Sequence, residues 1–514
     1  MVIRFAAVLA LACQLTPGFG SEPAPFPSEL DVAQTQSELG AGHFSTRQLV
    51  AHYLERIARL DQAGPSLQSV LALNPQALAQ AEALDQERQQ GALRGALHGV
   101  PMLIKDNIDT ADMPTTAGAR AMAGHRPAQD AFIVARLRAA GALILGKTNL
   151  SEWANFRSNR SSSGWSGLGG QTRNPYDPTR NPCGSSSGTG AAIAADFAVV
   201  GIGTETDGSI MCPSGVNGLV GIKPTVGLVS RSGIIPISAS QDTAGPMARS
   251  VADAAAVLNV IAGTDPEDPA TADADRHRVD YREGLDQASL QGVRIGVLRQ
   301  DFGFHDEVDA LLEQRLEDLR EAGAVLIDPV VIKVPDALGD AEFEVLQYEF
   351  KDGLDRYLQQ SGAPVASLSA LVKFNDDHAE QELEWFDQEL LERSLSKGPP
   401  SDRAYRKARA LSRRLAGAEG IDAAMKKHQL EALIAPTNGP AWKTDWVNGD
   451  HFGGGSSTLA AVAGYPSITV PAGLVHGLPV GLSFIAGAWQ ERRLIEIAYA
   501  FEQATKARRP PQLP

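Results

Sequence analysis

Two short serine-bearing turns, separated by a run of small residues, hold the side chains whose types and spacing could do chemistry. Residues 184–190 (GSSSGTG) lead into a stretch that favours a helix, and the apolar residues 197–202 predict a buried strand that ends in residues 204–209 (TETDGS). Glycines permit a close backbone approach, and a strand that ends in a glycine turn can present a nucleophile such as Ser209. The backbone N–H groups that could hold a developing oxyanion are those of Thr206, Asp207, Gly208 and Ser209.

A lysine at the end of an apolar stretch could supply the base that a serine nucleophile needs. Residues 98–107 (HGVPMLIKDN) predict a strand that delivers Lys105 near its end. Burial there would lower the pKa of the amine, so that its neutral form could accept a proton. On these residues alone two plainer interpretations stay open. Lys105 could pair with Asp106 at a sheet edge, and a loop rich in glycine and serine is often a linker or a phosphate cradle.

Two other motifs match catalytic patterns but lack the local context that those patterns need. Residues 141–148 (GALILGKT) satisfy the GxxxxGK[ST] phosphate-loop pattern, yet their bulky apolar interior predicts a buried strand rather than an exposed loop. Residues 184–188 satisfy GxSxG, which would make Ser186 a nucleophile with histidine and acid partners. That motif expects a strand before it, whereas residues 174–182 (NPYDPTRNP) predict a loop. Ser186 and Ser187 are therefore interpreted as hydroxyls that stabilise the loop.

Five longer segments carry a family resemblance, in order and over nearly the whole chain. They are HGVPMLIKDNID, GALILGKTNLSEWANF, NPCGSSSGTGAAIAA, GTETDGSIMCPSGVNGLVGIKPTVGLVSRSGIIPISASQDTAGPMARSVADAA and GLPVGLSFIA. The chain resembles the amidase signature family. The resemblance implies a Ser-cisSer-Lys triad in which Lys105 is the general base, Ser185 is the bridging serine after a cis peptide bond, and Ser209 forms the acyl-enzyme. Many members have two glycines before the nucleophile, whereas this chain has Asp207 and Gly208.

The reaction that the resemblance implies is hydrolysis of an amide, without a metal or an organic cofactor. The likeness extends furthest to the branch of the family that removes the C-terminal carboxamide from peptides and releases ammonia. A general or aryl-acyl amidase, or the glutaminase subunit of a tRNA amidotransferase, are alternatives with the same chemistry. A peptide-binding protein without activity is an alternative from another class, although intact Lys105, Ser185 and Ser209 argue against it.

Composition and charge limit the partners of the protein. The chain has 514 residues, is 43% hydrophobic and carries a formal net charge of −15. Such an acidic balance argues against a nucleic-acid partner, because phosphate binding needs a basic face. After the first residues, no stretch is long and apolar enough to predict a transmembrane helix. The expected partner is a small peptide amide or another carboxamide, and a monomer is the favoured state.

The N-terminus predicts a secretory signal peptide over residues 1–20. Arg4 supplies a positive start, residues 5–13 form a short apolar core, and residues 18–20 (GFG) offer a cleavage site. A lipoprotein signal with Cys13 as acceptor and a cytoplasmic protein without a leader are the alternatives. The predicted location is the periplasm or the cell exterior.

Two cysteines remain after such a cleavage, and each flanks one of the serine turns. Neither their spacing nor nearby histidines suggest zinc. Cys183 and Cys212 are expected to pack as small buried thiols, with a disulfide between them as the alternative.

The predicted fold is α/β, a single domain over residues 21–514. Strands predicted at residues 293–298 and 324–327 flank a helix predicted near residues 307–321. This order is typical of a βαβ unit in a layered α/β sheet. Residues 30–94 show helical spacing. The resemblance implies a mixed twisted β-sheet sandwiched between helical layers, with a variable, mainly helical insertion at about residues 340–418 beside the substrate.

Overall fold

The computed structural model describes residues 26–513 as an α/β domain built on a mixed eleven-stranded sheet. This architecture confirms the predicted fold class. The predicted signal peptide, with Cys13, lies outside the described residues. Within residues 26–513, no helix combines the length and the apolar character needed to cross a bilayer.

The described residues contain thirteen strands, two of which form a separate small ladder. In chain order they are β1 (Val70–Leu73), β2 (Pro101–Lys105), β3 (Leu143–Thr148), β4 (Trp165–Ser166), β5 (Gly170–Gln171), β6 (Val200–Glu205), β7 (Val220–Lys223), β8 (Thr243–Ala248), β9 (Arg294–Leu298), β10 (Val325–Val330), β11 (Ala432–Pro436), β12 (Ser467–Val475) and β13 (Leu478–Ile485). The large sheet has the order β1-β3-β2-β6-β8-β7-β12-β13-β11-β9-β10, and β4 pairs with β5.

Seventeen α-helices occur within the same residues. They are α1 (Val32–Ala41), α2 (Thr46–Leu60), α3 (Ala77–Gln89), α4 (Phe132–Ala139), α5 (Ser187–Ala194), α6 (Met211–Val216), α7 (Val251–Ile261), α8 (Ala274–His277), α9 (Asp306–Glu321), α10 (Ala337–Ser361), α11 (Leu368–Asp377), α12 (Ala379–Glu382), α13 (Glu389–Leu395), α14 (Arg403–Arg413), α15 (Asp422–His428), α16 (Thr458–Ala463) and α17 (Glu491–Thr505). A π-helical stretch, Arg414–Ile421, joins α14 to α15.

The strands form two parallel groups that antiparallel strands connect. Strands β3, β2 and β6 run parallel, and so do β10, β9 and β11, whereas β8, β7, β12 and β13 pair antiparallel with their neighbours. The predicted βαβ unit is confirmed as β9, α9 and β10. The region of helical spacing also contains β1, which the sequence did not predict and which pairs antiparallel with β3.

The strand predicted at residues 197–202 lies three residues further along the chain. Strand β6 begins at Val200, which faces Met102 of β2, and continues to Glu205, which faces Thr243 of β8. Pairing with β8 extends β6 through its polar residues Thr204 and Glu205, whereas the apolar run that predicted the strand ends at Ile202. The strand therefore delivers Thr204 and Glu205 directly to the second serine turn.

Helices cover both faces of the sheet, and two glycines of β6 set how closely one layer approaches. Val200 and Ile202 alternate with these glycines and so point to the opposite face, and α7, α9 and α17 pack against the neighbouring strands β8 and β12. Helix α5 packs on the other face, where a Cβ on Gly201 would lie 2.6 Å from Cγ2 of Thr189 and one on Gly203 would lie 2.8 Å from Oγ of Ser186. The absence of these side chains brings the first serine loop directly onto β6.

Candidate active site

Lys105 lies at the end of β2 and contacts a serine and a threonine. The strand is buried throughout, and Nζ of Lys105 lies 2.8 Å from Oγ of Ser185, 2.8 Å from Oγ1 of Thr204 and 3.2 Å from the carbonyl oxygen of Thr204. Asp106 instead pairs with Lys147 of β3, at 3.3 Å. The alternative that Lys105 merely pairs with Asp106 is therefore wrong.

The environment of Lys105 favours its neutral amine. Complete burial lowers the pKa of Lys105 to about 7, against the opposing effect of the carboxylates of Asp242 and Glu205. A neutral amine has two N–H groups and one lone pair. The two oxygens of Thr204 can accept the N–H groups, which leaves the lone pair for the hydroxyl of Ser185. Thr204 is itself fixed by Asn107, whose Nδ2 donates to Oγ1 at 2.9 Å.

The loop that carries Ser185 is tied to β6 by its neighbour Ser186. The Gly184–Ser185 peptide bond is cis, as the resemblance implied. Oγ of Ser186 accepts from the backbone N–H of Thr204 at 3.2 Å and donates to the carbonyl of Thr204 at 3.1 Å. This confirms Ser186 as a loop-stabilising hydroxyl. The backbone N–H of Ser186 also donates to the carbonyl of Ser209 at 3.2 Å, which joins the two serine turns.

The second turn places Ser209 between the end of β6 and the start of α6. Gly208 adopts φ +77°, a left-handed conformation that favours glycine. Oε2 of Glu205 accepts from the backbone N–H groups of Ile210 at 2.7 Å and Met211 at 3.0 Å. The carboxylate thus satisfies free donors at the start of α6 and fixes the turn around a largely buried Ser209. The four residues predicted to hold an oxyanion, Thr206, Asp207, Gly208 and Ser209, all lie in this turn.

Asp207 anchors the same turn to two distant helices. Its Oδ2 accepts from Oγ1 of Thr458 in α16 at 2.7 Å, and its carboxyl lies beside that of Glu342 in α10. Burial raises the pKa of both carboxyls, and the charge of Asp207 raises that of Glu342 further, so the pair retains a proton. Nε2 of Gln241 donates to Glu342 at 2.8 Å and to the carbonyl of Thr206 at 3.3 Å.

Cys183 and Cys212 form a disulfide, with sulfurs 1.98 Å apart and Cα atoms 6.0 Å apart. The expectation that they pack as separate thiols is therefore wrong. The starts of α5 and α6 lie side by side, which brings the two cysteines within bonding distance, and this proximity is a tertiary property. The disulfide is buried against Val216, Ala441 and Trp442.

A cavity of about 590 Å³ adjoins the site. Asn107, Thr204 and Thr206 are among its lining residues, and so are side chains of α10 such as Glu349 and Tyr357. Cavities of this size suit ligands of the dimensions of a drug or a short peptide. Within residues 26–513, no group of three or more histidine, cysteine, aspartate or glutamate side chains is arranged to hold a metal ion.

The phosphate-loop match at residues 141–148 folds as predicted, into a fully buried strand, β3. Nζ of Lys147 donates to the carbonyl of Pro114 at 3.0 Å and to Oγ1 of Thr115 at 2.8 Å. The same nitrogen lies 3.3 Å from Oδ1 of Asp106, with which Lys147 forms an ion pair. A lysine held in this way has a structural role and is not presented to a phosphate.

The site contains functional side chains that the sequence analysis did not single out. Thr204 and Glu205 belong to the segment TETDGS, and their position shortly before Ser209 in the sequence could have indicated that they contact the site. Asn107 follows Lys105 by two residues and offered a similar hint. Glu342 gave no local signal, because it reaches Asp207 only through the packing of α10.

Comparison with known proteins supports one family. The family model described as Amidase matches residues 48–495. The structure superposes on that of the peptide amidase from Stenotrophomonas maltophilia with a TM-score of 0.90 and 55% identity, covering 95% of this chain and 99% of that one. The chain is also 40% identical to a probable amidase of Arabidopsis thaliana, over 91% of this chain and 88% of that protein. It is 36% identical to one of the subunits of the glutamyl-tRNA(Gln) amidotransferase of Acinetobacter baylyi, over 93% of this chain and 96% of that protein.

Proposed function

The chain belongs to the amidase signature family, and from this premise we propose that it hydrolyses the C-terminal carboxamide of peptides, giving the free acid and ammonia. That it is an amide-hydrolysing enzyme follows from the family. The carboxamide of a peptide as its substrate, and the roles of individual residues, are the proposal.

The observation that carries the proposal is the set of contacts around the Lys105 amine. Its Nζ lies 2.8 Å from Oγ1 and 3.2 Å from the carbonyl oxygen of Thr204, and 2.8 Å from Oγ of Ser185, so a neutral amine can donate both N–H groups to Thr204 and accept from Ser185. In the proposed first step, Lys105 takes the proton of Ser185 while Ser185 takes the proton of Ser209. Oγ of Ser209 then forms a bond to the amide carbon, and the carbonyl electron pair moves onto oxygen.

The turn after β6 would stabilise the charge that this step creates. Backbone N–H groups among Thr206, Asp207, Gly208 and Ser209 hold the oxyanion. When the intermediate collapses, the C–N bond breaks and the Ser185–Lys105 pair returns the proton to nitrogen, so that ammonia leaves. Water then attacks the acyl ester by the same proton path and regenerates Ser209.

Two findings support a peptide carboxamide as the substrate. The identity to the Stenotrophomonas maltophilia peptide amidase is 55%, and the likeness covers 95% of this chain and 99% of that one. The cavity beside Thr204 and Thr206 has a volume of about 590 Å³, enough for a short peptide. General amidases and the glutaminase components of amidotransferases share the chemistry, and they differ in the amide from which they release ammonia.

Ammonia release from a short peptide amide, compared with an anilide and with free glutamine, tests the proposal. We expect release from the peptide amide with its internal peptide bonds intact, and loss of activity in Ser209→Ala. Ser289→Ala, an exposed serine far along the chain, is the control and should keep full activity. Activity on the anilide alone would contradict the substrate, and full activity in Ser209→Ala would contradict the nucleophile.

We also propose that the enzyme works in the periplasm or outside the cell after removal of residues 1–20. The disulfide between Cys183 and Cys212 supports this, because disulfides persist in oxidising compartments and are rare in the cytosol. N-terminal sequencing of protein from fractionated cells tests it. A mature N-terminus near Ser21 in the periplasmic fraction is expected, whereas an intact Met1 in the cytosol would contradict it.

A further inference from the structure

The disulfide joins the two turns that carry the proposed catalytic serines. Cys183 precedes Ser185 by two residues, and Cys212 follows Ser209 by three. We propose that this disulfide is a positioning element for amide hydrolysis, which holds Ser185 and Ser209 in the relative placement that proton transfer between them requires. The inference rests on the proposed function, since it assumes that both serines act in the reaction.

The backbone beside the disulfide has a conformation that cysteine rarely adopts, and the bond to Cys212 acts there together with a hydrogen bond from the N–H of Cys183 to Oδ1 of Asn181. Cys183 has φ +57°, which lies in the left-handed region that residues other than glycine and asparagine rarely adopt. Cys183 does not lie in a solvent-exposed turn, because its side chain is buried and only 5% of the residue is exposed. Without the bond to Cys212, we expect this residue to relax, and Ser185 lies only two residues away.

Proton transfer is sensitive to such a displacement. A serine must stay within about 2.6–3.2 Å of its proton acceptor, and a misplacement of roughly 1 Å can slow a reaction about a hundredfold. Ser185 is fixed on one side by Lys105, 2.8 Å away. The disulfide restricts the position of Ser209, the other residue in the proton transfer. It does so because it links the Ser185 loop to the first turn of α6, which follows Ser209 directly.

Noncovalent contacts around the disulfide should keep the protein folded when the bond is absent. The backbone N–H of Ser186 donates to the carbonyl of Ser209, and Nδ2 of Asn217 donates to the carbonyls of Pro182 at 3.0 Å and Pro213 at 2.7 Å. These bonds connect the same two segments without fixing Cys183 itself. We therefore expect loss of the cross-link to slow the chemistry more than it affects the fold.

The test compares the wild type with the double variant Cys183→Ala/Cys212→Ala on a peptide amide, at a temperature well below both melting temperatures. We expect kcat to fall at least tenfold while KM changes by less than about threefold, and the rate of labelling of Ser209 by a fluorophosphonate to fall by a similar factor. Leu494→Ala, which truncates a fully buried side chain of α17, is the matched control. It should lower the melting temperature and leave kcat unchanged.

Reduction of the native enzyme provides a second test that does not depend on how the variant folds. Treatment with a phosphine reductant should lower kcat as in the double variant, reoxidation should restore it, and the circular dichroism spectrum should stay unchanged throughout. A kcat within twofold of the oxidised enzyme, with the thiols shown to be free, would overturn the inference. Ser209→Ala separates this from the proposed function: if that variant stays active, the proposed function fails, whatever the disulfide does.

Discussion

The amine nitrogen of Lys105 lies 2.8 Å from the hydroxyl oxygen of Ser185, and both side chains are fully buried. An ammonium in that position could only donate to the serine, whereas a neutral amine can accept its proton. The protonation state of Lys105 therefore decides whether the proposed reaction can begin.

We expect kcat/KM for a peptide amide to rise with pH and to report an apparent pKa near that of Lys105, about 7. Burial lowers the pKa of this lysine, so the amine is neutral above that pH, and the rate should fall about tenfold per pH unit below it. Lys105→Ala should lose about a hundredfold or more of kcat/KM. Lys105→Arg should not restore it, because a guanidinium stays protonated. A kcat/KM that is independent of pH from weakly acidic to alkaline conditions would contradict the assignment.

Thr204→Val should slow the reaction, because it removes the hydroxyl that lies 2.8 Å from Nζ of Lys105 and accepts from Asn107. The orientation of the amine then rests on the carbonyl of Thr204 alone. We expect kcat/KM to fall roughly tenfold or more, and the free energy of unfolding to fall by about 1–3 kcal/mol, because the amide of Asn107 loses a buried partner. Thr505→Val, at the end of α17, is the control. Unchanged kinetics in Thr204→Val would show that the carbonyl suffices.

Glu342→Gln should change how stability depends on pH. Burial and the neighbouring Asp207 raise the pKa of Glu342 above its ordinary value of 4.5, so the folded protein keeps a proton that the unfolded chain releases. The free energy of unfolding of the wild type therefore falls as pH rises from about 4.5 toward the folded-state pKa, by at most ~1.4 kcal/mol per pH unit. A glutamine does not titrate, so the free energy of unfolding of the variant should not show this fall with rising pH.

Melting temperatures over the weakly acidic to weakly alkaline range check this expectation. The difference between Glu342→Gln and the wild type should grow in favour of the variant as pH rises. Asp340→Asn changes an exposed carboxylate on the same helix and should show no such trend. A constant difference across the range would mean that Glu342 ionises normally.

Gly208→Ala should impair catalysis, because Gly208 has φ +77° and a Cβ there would lie 3.0 Å from Oγ of Ser457. The backbone conformation alone costs about 1–2 kcal/mol for an alanine. Gly477, in the hairpin between β12 and β13, has φ +79°, and an added Cβ would meet no atom within 4 Å, so Gly477→Ala carries the same backbone cost away from the site. We expect both variants to lose similar stability, and only Gly208→Ala to lose kcat, by tenfold or more. Equal kcat values would show that the turn tolerates rearrangement.

The sequence predicted the parts of the site that local patterns encode. Lys105 could be placed because the apolar residues before it predict a strand, and Ser185 and Ser209 because each lies in a glycine turn next to an apolar run. The family resemblance then assigned their expected roles. These features depend on neighbours within a few residues.

The parts that the sequence did not predict depend on contacts between distant segments. Strand β6 continues to Glu205 because β8 pairs with it as far as that residue. Residues 70–73 form strand β1 because they pair with β3. Glu342 reaches Asp207 across 135 residues of chain. The bond between Cys183 and Cys212 follows from the packing of α5 against α6.

The proposed chemistry takes place between Lys105 at the end of β2 and Ser209 after β6, whereas six of the residues that line the cavity belong to α10. Mutations at these positions of α10 therefore change the cavity and leave the proposed catalytic residues in place. Glu342 is an exception, because it lies on α10 but holds the nucleophile turn. A lineage that changed its substrate by altering α10 would have been free at most positions of this helix and constrained at this one.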